Sequence, residues 1–394
     1  MPNTASWIKT ALDERRQQAL LRQTVTLEGP QTPNACFNGS AYTAFCSNDY
    51  LGLANHPDLI RAVQASAEQY GVGGGASHLV CGHLAPHQAL EDALADWLGY
   101  ERVMLFSTGY MANLGVISAL AAKSRPVVQD KLNHASLIDG SVLAQSPLRR
   151  YLHGDVSSAR RLLQKIAAPG LLVTDGVFSM DGDLAPLASL AALAQEEDWL
   201  FMVDDAHGLG CLGNNGRGSL SLERLDSHSV PVLVGTFGKA FGTSGAFVAT
   251  SNEIADYLTQ FARPYIYTTS MSPAIAGATL AALRLIQSNE GEERRAILAS
   301  HIRYFRQRMA ELPVLLMSSD TAIQPIIIGD SDKALRASEV LKALGVWCTA
   351  IRPPTVPIGS ARLRITLSAS HSKDDLALLC DSLESVLVAK AKCE

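Results

Sequence analysis

Three apolar runs in the middle of the chain each end in small polar residues. GLLVTDG, WLFMVDDAHG and VPVLVGTFG begin at positions 170, 199 and 230. Nearly every position in them is apolar, which is typical of strands buried on both faces of a parallel sheet. Between about Phe45 and Arg284 such runs alternate with helical patterns. The pattern predicts an α/β domain with a mostly parallel sheet covered by helices.

The first 44 residues follow a different pattern. Ile8, Leu12, Ala19 and Leu20 fall on one side of a predicted amphipathic helix. A connector rich in Gly, Pro and Asn, EGPQTPNACFNGS, follows the helix. Residues 1–44 are therefore predicted to form a helical arm and a connector, outside the core.

The pattern changes again after about Ser288. AIQPIIIGD and VWCTAIR read as strands on either side of a helix that Gly345 closes, and ARLRITLS reads as another strand. Ser372 can cap a last helix through Asp375. The predicted division is an arm at 1–44, a large domain at 45–287 and a small α+β domain at 288–394.

Composition adds mainly exclusions. The 394 residues are 47% hydrophobic and 18% charged with a net charge of −5 and no basic block, which argues against a nucleic-acid or membrane partner. No apolar run approaches the roughly 18–20 residues of a membrane span, and the first residues lack a signal-peptide pattern. Seven scattered cysteines, Cys393 the last of them, do not form a disulfide framework. These features predict a cytoplasmic protein.

Polar side chains gather where the three apolar runs end. In a parallel sheet these ends meet at one edge, which brings together Asp175, Asp204 with His207, and Thr236 with Lys239. An ammonium is costly to bury, and the small residues around Lys239 leave room for a flat group. Asp204 can keep a pyridine nitrogen protonated while His207 bonds to a ring oxygen. The alternatives for this pair are a structural ion pair and two ligands of a metal site.

Weaker signals accompany this group. SerThrGlyTyr at 107–110 opens a predicted helix whose free N–H groups suit a phosphate, although an ordinary capped helix has the same pattern. Ser179 is either a hydrogen-bond donor or a turn residue. His78, His83 and His87 suggest zinc, but Pro86 interrupts any helix that carries the last two, so no metal site is predicted. Together, the amine, carboxylate, imidazole and anion site predict bound pyridoxal 5'-phosphate.

Several longer motifs resemble those of one family. TFGKAFG at 236–242 resembles the cofactor-lysine motif of fold-type I, class II aminotransferases. SNDYLGL, DGVFSMDGD, VDDAHG and AIRPPTVPIGSARLRIT are similar to motifs of the α-oxoamine synthases, and they occur in the same order over nearly the whole chain. The resemblance implies a fold-type I pyridoxal-phosphate-dependent transferase that works as a homodimer with shared active sites.

The resemblance also implies roles for individual residues. Lys239 is expected to bind the cofactor covalently, Asp204 to pair with its ring nitrogen, His207 to contact its ring hydroxyl and His134 to stack on its ring. The other residues expected to contact the cofactor are Gly109, Tyr110, Ser179, Thr236 and, reaching the neighbouring subunit, Thr268 and Thr269. The residues expected to contact substrate are Arg22, Asn48, His134, Thr355 and, for the amino-acid carboxylate, Arg364.

The implied reaction is a decarboxylative condensation of L-alanine with pimeloyl-CoA or pimeloyl-acyl-carrier protein, a step of biotin biosynthesis. The alternatives are a sister enzyme that uses glycine, of the 2-amino-3-ketobutyrate ligase or 5-aminolevulinate synthase type, and a non-catalytic partner subunit, which Lys239 argues against. An acidic carrier protein could dock near Arg15, Arg16 and Arg22. The chain departs from the family at 76–79 and at Asp175, where relatives usually have glutamate.

Overall fold

The structure, a computed structural model, describes residues 5–18 and 20–388. Ala19 and Cys393 lie outside the described residues. The helices, in chain order from α1 to α14, are Ser6–Gln17, Pro57–Tyr70, Ala85–Leu98, Gly109–Leu120, Ala135–Leu143, Val156–Leu163, Leu187–Glu196, Ser219–Leu222, Asn252–Phe261, Arg263–Tyr267, Pro273–Gln287, Asn289–Ala310, Ser331–Ala343 and Lys373–Val388. The strands, from β1 to β14, are Asn34–Phe37, Ser40–Ala44, Arg102–Phe106, Val127–Asp130, Leu148–Tyr151, Leu171–Asp175, Leu200–Asp204, Val232–Thr236, Ala246–Thr250, Leu315–Leu316, Ile323–Gly329, Val346–Trp347, Thr349–Ile351 and Ala361–Thr366.

The predicted parallel sheet is confirmed. The three apolar runs form β6, β7 and β8, which are neighbours and run parallel. They belong to a seven-stranded sheet of order β3-β9-β8-β7-β6-β4-β5. Within the described part of the chain, β9 is the one strand of this sheet that runs antiparallel to its neighbours. The register sets Asp175 directly beside Asp204 at the carboxyl edge.

Both faces of this sheet are buried, as the absence of polar alternation predicted. Phe201 and Val203 of β7 join one apolar cluster and Met202 joins a second cluster on the opposite face. Alternate side chains of a strand point to opposite faces, so each strand needs apolar residues at every position. In residues 5–18 and 20–388, no helix is both long and apolar enough to cross a membrane.

The N-terminal helix is shorter than predicted. α1 ends at Gln17, so Leu20 lies beyond it and does not extend its apolar side. None of its residues is buried, and Trp7 is 69% exposed. A helix without tertiary packing has little to stabilise an additional turn, which accounts for the early end.

The C-terminal strands form a separate antiparallel sheet of order β10-β11-β14-β13. The predicted cap is confirmed, because Ser372 Oγ accepts from the Asp375 N–H at 3.1 Å and Asp375 Oδ2 accepts from the Ser372 N–H at 2.8 Å. The prediction that VWCTAIR forms a single strand is wrong. Around the buried Cys348 it divides into β12, which pairs with β2, and β13, which pairs with β14. The division at residues 44 and 287 stays a prediction.

A buried ion pair joins this C-terminal sheet to the turn after β6. The Arg362 guanidinium of β14 contacts the Asp181 carboxylate and also donates to the Met180 carbonyl at 3.1 Å. Arg362 and Asp181 are only 4% and 7% exposed. The turn that carries Ser179 is therefore attached to the C-terminal sheet by a pair that water does not screen.

We expect Asp181→Ala to lower the free energy of unfolding by about 3–5 kcal/mol, because the Arg362 charge would stay buried without a counter-charge. Urea unfolding followed by circular dichroism measures this. Asp320→Ala, at an exposed position, is the control and should change the free energy by less than about 0.5 kcal/mol. A loss no larger than that of the control would contradict the prediction.

Candidate active site

A cavity of about 190 Å³ opens at the carboxyl edge of the seven-stranded sheet. The predicted residues that line it are Gly109, Tyr110, His134, Ser179, Asp204, His207, Thr236 and Lys239. Four further residues line it that were not predicted to contact a ligand: Asn113, Ser136, Asp175 and Ala206. The fold thus brings together side chains from five strand or helix ends that are up to 130 positions apart in the sequence.

Asp204 at the end of β7 is held by two neutral donors. Asn113 Nδ2 donates to its Oδ2 at 2.6 Å, and the Ala206 N–H donates to its Oδ1 at 3.0 Å. Asn113 Nδ2 also donates to Ser136 Oγ at 2.9 Å, while Asn113 Oδ1 is buried without a partner in the described part of the chain. Donors of this kind stabilise a carboxylate and fix its direction. The orphaned amide oxygen leaves an unmet polar group at the cavity wall.

Lys239 follows β8 and directs its amine into the same cavity. Burial lowers the pKa of this amine to about 8, although the carboxylates of Asp204 and Asp175 act in the opposite direction. The shift means that a substantial part of the amine is neutral close to physiological pH. A neutral amine is a nucleophile and a proton acceptor, which an ordinary surface lysine is not.

The small residues around Lys239 do not all serve the purpose predicted for them. A Cβ at Gly238 would meet Thr236 Oγ1 and the Thr243 carbonyl oxygen at 3.9 Å, an ordinary van der Waals distance, so glycine is not needed there for space. Gly242, however, has a φ of 68°, and a Cβ there would lie 2.4 Å from the Ala54 nitrogen. Glycine is needed at 242 for two reasons: its own backbone is in the left-handed region, and the backbone around residue 54 packs directly against it.

His134 presents a neutral imidazole to the cavity. Its backbone N–H donates to Asp175 Oδ2 at 2.8 Å, and its Nδ1 lies 2.8 Å from Ser136 Oγ. Burial lowers its pKa, with Lys239 adding to the shift and Asp204 opposing it. Burial and the Asp204 charge raise the pKa of Asp175 well above its usual range. Asp175 therefore positions His134 directly, even without the extra methylene of glutamate.

A chain of hydrogen bonds runs from His207 to Arg364. His207 Nδ1 lies 2.7 Å from the Tyr50 hydroxyl, which donates to Asn48 Oδ1 at 3.1 Å. The same Asn48 oxygen accepts from Arg364 Nη2 at 3.3 Å. Burial and the charges of Lys239 and Arg364 lower the pKa of His207 well below its usual value. His207 is thus a neutral ring whose Nδ1 is already engaged.

Arg364 is a buried cation without a carboxylate partner among the described residues. It is 8% exposed, and its Nε donates to the Ser179 carbonyl at 2.7 Å. Arg362, two positions earlier on the same strand, has Asp181 as its counter-charge. A buried charge without a counter-charge is costly, so the position suits a ligand that brings a carboxylate.

The start of α4 is an anion site beside Thr236. The Thr108 hydroxyl accepts from the Met111 N–H at 3.1 Å, whereas the N–H groups of Gly109 and Tyr110 have no partner in residues 5–18 and 20–388. A Cβ at Gly109 would lie 3.8 Å from Thr236 Oγ1. Free N–H groups at a helix start and an adjacent hydroxyl suit a phosphate.

The remaining predicted residues lie outside this cavity. Arg22 and Thr355 line a second cavity of about 370 Å³ together with Arg15 and residues 349–354. Thr268 and Thr269 follow α10, where the Thr269 carbonyl accepts from Ser107 Oγ at 3.4 Å. Their contact with a neighbouring subunit stays a prediction. Among the described residues, no metal-binding group of three His, Cys, Asp or Glu side chains contains Asp204 and His207.

Two functional residues were missed. Asn113 is a polar residue inside the apolar run MANLGVISALAA, and this was the signal that could have identified it. Tyr50 gave no comparable signal, because aromatic residues are common in cores. Its contact with His207 joins positions 157 residues apart.

Comparisons with known proteins agree with this geometry. Residues 40–383 match the family described as aminotransferase class I and II. The chain belongs to this family. An 8-amino-7-oxononanoate synthase of Marinomonas sp. (strain MWYL1) is 74% identical over 388 residues, 98% of this chain and 96% of that protein. The synthase of Pseudomonas savastanoi pv. phaseolicola is 55% identical over 377 residues, 96% of this chain and 95% of that protein.

Solved structures of class I and II aminotransferase relatives share the fold. A serine palmitoyltransferase from S. paucimobilis with bound PLP superimposes with a TM-score of 0.93 at 28% identity, covering 99% of this chain and 100% of that chain. The 8-amino-7-oxononanoate synthase from Francisella tularensis gives 0.78 at 32% identity, covering 90% and 99%. The fold type I assignment is therefore confirmed.

We expect the Lys239 amine of the ligand-free protein to titrate near pH 8, because burial disfavours its ammonium form. Asp204→Asn removes a negative charge that favours the ammonium, so it should move the midpoint to lower pH. Reductive methylation of Lys239, followed by peptide mass spectrometry between about pH 6 and 10, reports the neutral amine. Asp320→Asn is the surface control and should leave the midpoint in place. An unchanged or higher midpoint in Asp204→Asn would be inconsistent with the prediction.

Proposed function

We propose that the protein catalyses the decarboxylative condensation of L-alanine with a pimeloyl thioester. The products are 8-amino-7-oxononanoate, CO2 and the free thiol, and the reaction belongs to biotin biosynthesis. The supporting observation is that the Lys239 amine and the Asp204 carboxylate share one cavity, while the Arg364 guanidinium donates to Ser179 in the wall of that cavity. The identities to 8-amino-7-oxononanoate synthases select this reaction within the family.

The residues present fit pyridoxal 5'-phosphate. The free N–H groups of Gly109 and Tyr110 with Thr236 suit its phosphate, and Asp204 suits its ring nitrogen. The Asn113 amide oxygen, which has no partner among the described residues, is an acceptor in the cavity wall that a polar ligand would satisfy. When bound, pyridoxal phosphate stabilises negative charge at the α-carbon of an amino acid.

Lys239 and Asp204 have complementary tasks. Lys239 Nζ, with a pKa of about 8, is the group that binds the cofactor and the base that can accept the α-proton of alanine. Asn113 and Ala206 donate to the Asp204 oxygens and stabilise its charge, so Asp204 would keep the ring nitrogen of bound pyridoxal phosphate protonated. The neutral ring of His134 covers the flat face of the site.

Arg364 is proposed to bind the alanine carboxylate. The guanidinium is held from two sides, by the Ser179 carbonyl and by Asn48, and neither partner neutralises its charge. The alanine carboxylate would supply the missing counter-charge. In this proposal, the carboxyl group that is later lost as CO2 lies beside β14 and Asn48, at one end of the site.

The second cavity is proposed to receive the pimeloyl thioester. It lies between the segment after α1 and the loop between β13 and β14, with Arg22 and Thr355 in its wall. Arg15 and Arg22 give it positive charge, which suits an acidic ligand or carrier. Both pimeloyl-CoA and pimeloyl-acyl-carrier protein are anionic, so the charge of the cavity does not distinguish them. An assay with each thioester decides which one is the substrate.

A homodimer completes the proposed site. The Thr269 carbonyl accepts from Ser107, which lies just before the start of α4 in the same chain. Neither Thr268 nor Thr269 lines the Lys239 cavity of that chain. Thr269 is exposed. We propose that these hydroxyl groups contact the cofactor phosphate of the neighbouring subunit.

We expect Lys239→Ala to abolish product formation, because the variant has neither the attachment group nor the base. Mass spectrometry of reactions with alanine and each pimeloyl thioester measures 8-amino-7-oxononanoate directly. Lys123→Ala, at an exposed position, is the control and should retain full activity. A fully active Lys239→Ala enzyme would refute the assignment. Product from glycine but not from alanine would instead support a sister α-oxoamine synthase.

We expect Arg22→Ala to raise KM for the pimeloyl thioester by roughly tenfold, since a hydrogen bond to a charged group contributes about 1.5–3 kcal/mol. KM for alanine should stay unchanged, because Arg364, the proposed partner of the alanine carboxylate, does not line the cavity that contains Arg22. Arg303→Ala, at an exposed position of α12, is the matched control, since Arg303 does not line the cavity. Equal effects on both substrates would contradict the placement of the acyl chain.

A further inference from the structure

Three histidines between residues 78 and 87 converge at a site separate from the Lys239 cavity. Pro86 is the second residue of α3, so no helix carries both His83 and His87, as predicted. The break does not separate the side chains, however. A π-helical turn, His78–Gly82, folds the segment back so that one ring nitrogen of each histidine lies within 4.8 Å of the others.

The protonation of His87 is set by its surroundings. Its Nε2 lies 2.9 Å from the Met271 carbonyl oxygen, which can only accept a hydrogen bond. The Nε2 therefore carries the proton, and Nδ1 has the lone pair. That lone pair accepts from the Leu84 N–H at 3.0 Å.

His83 is oriented in the same way. Its Nε2 lies 3.1 Å from Gln88 Oε1, and Gln88 Nε2 donates to Asp92 Oδ1 at 2.8 Å. The bond to the Asp92 carboxylate fixes the direction of the Gln88 amide, so His83 Nε2 must be the donor. Its Nδ1 lone pair then faces His78 Nδ1 at 2.8 Å.

The outer N–H groups of His83 and His87 are thus held by oxygen acceptors. Metal-binding histidines have such an acceptor, because it fixes the ring and makes the other nitrogen a better ligand. The Nδ1 lone pair of His83 accepts from His78 Nδ1, so this His78 proton lies between the two rings. The Nδ1 lone pair of His87 accepts from the Leu84 N–H, a bond that an ion at this nitrogen would replace. We propose that His78, His83 and His87 bind a divalent transition-metal ion of the zinc class, which takes the place of that proton.

The surroundings suit such an ion. His78 and His83 line a cavity of about 470 Å³ together with Gln88, Glu91 and Asp92. Glu101, Arg102 and Tyr265 also line it, so the three acids are partly offset by one cation. None of these three histidines lines the Lys239 cavity.

A bound ion would strengthen one connection between distant segments. The Ser270 N–H donates to the Ala76 carbonyl at 2.9 Å, and Ser270 Oγ donates to the Gly82 carbonyl at 2.7 Å. His87 adds its bond to Met271. Metal binding would therefore stabilise the contact between residues 76–87 and the segment just after Thr269.

Calorimetric titration of the chelator-treated holoenzyme with ZnCl2 tests the proposal. We expect one ion per chain, and binding at least about tenfold weaker in the His78→Ala, His83→Ala double variant. Gln88→Ala leaves all three ligands in place but removes the acceptor that orients His83, so it should weaken binding less. Cys81→Ser and His228→Ala are controls for other ligands and should bind like the unsubstituted enzyme, since both positions are exposed.

Two further measurements separate metal binding from folding defects. ZnCl2 should raise the Tm of the unsubstituted enzyme, because a ligand that binds only the native state stabilises it. The Tm of each variant without metal shows whether it is folded. A lack of zinc binding by the unsubstituted enzyme would overturn the proposal. Undiminished binding in a folded double variant, or loss of binding in Cys81→Ser, would overturn it as well.

Discussion

The site depends on the burial of one amine next to carboxylates at the edge of a parallel sheet. Strand register places Asp175 of β6 and Asp204 of β7 side by side. Lys239 follows β8, the neighbour of β7 on its other side. Burial lowers the pKa of Lys239 to about 8. A parallel sheet with both faces covered is what allows this burial, because its carboxyl edge is the place where polar groups can gather without interrupting the core.

The C-terminal strand β14 brings two arginines to the site, and their different surroundings give them different roles. Arg362 and Arg364 are two positions apart and point to the same face. Asp181 neutralises the first, whereas Asn48 and Ser179 only hold the second in place. One arginine therefore attaches the C-terminal sheet to the turn after β6, and the other has no counter-charge among the described residues.

The segment after β2 connects these parts. The Thr366 N–H donates to the Phe45 carbonyl at 2.8 Å, and the Ala369 N–H donates to the Tyr50 carbonyl at 2.8 Å. These bonds attach the segment to the end of β14, and its Tyr50 side chain contacts His207 at the end of β7. Arg364 and His207 are thus oriented through the same few residues, Asn48 and Tyr50.

The sequence by itself determined the strands and the residues at their ends. Apolar runs such as GLLVTDG specify buried strands locally, and the polar residue after each run is then confined to the carboxyl edge, which is how Asp204 and Lys239 could be predicted. Tertiary structure decided what these residues contact. The pairing of Tyr50 with His207, the burial of Asn113 beside Asp204 and the end of α1 depend on neighbours that no local pattern encodes. The histidine cluster shows the same limit, because Pro86 ends a helix locally, while the chain reversal before it brings the three rings together.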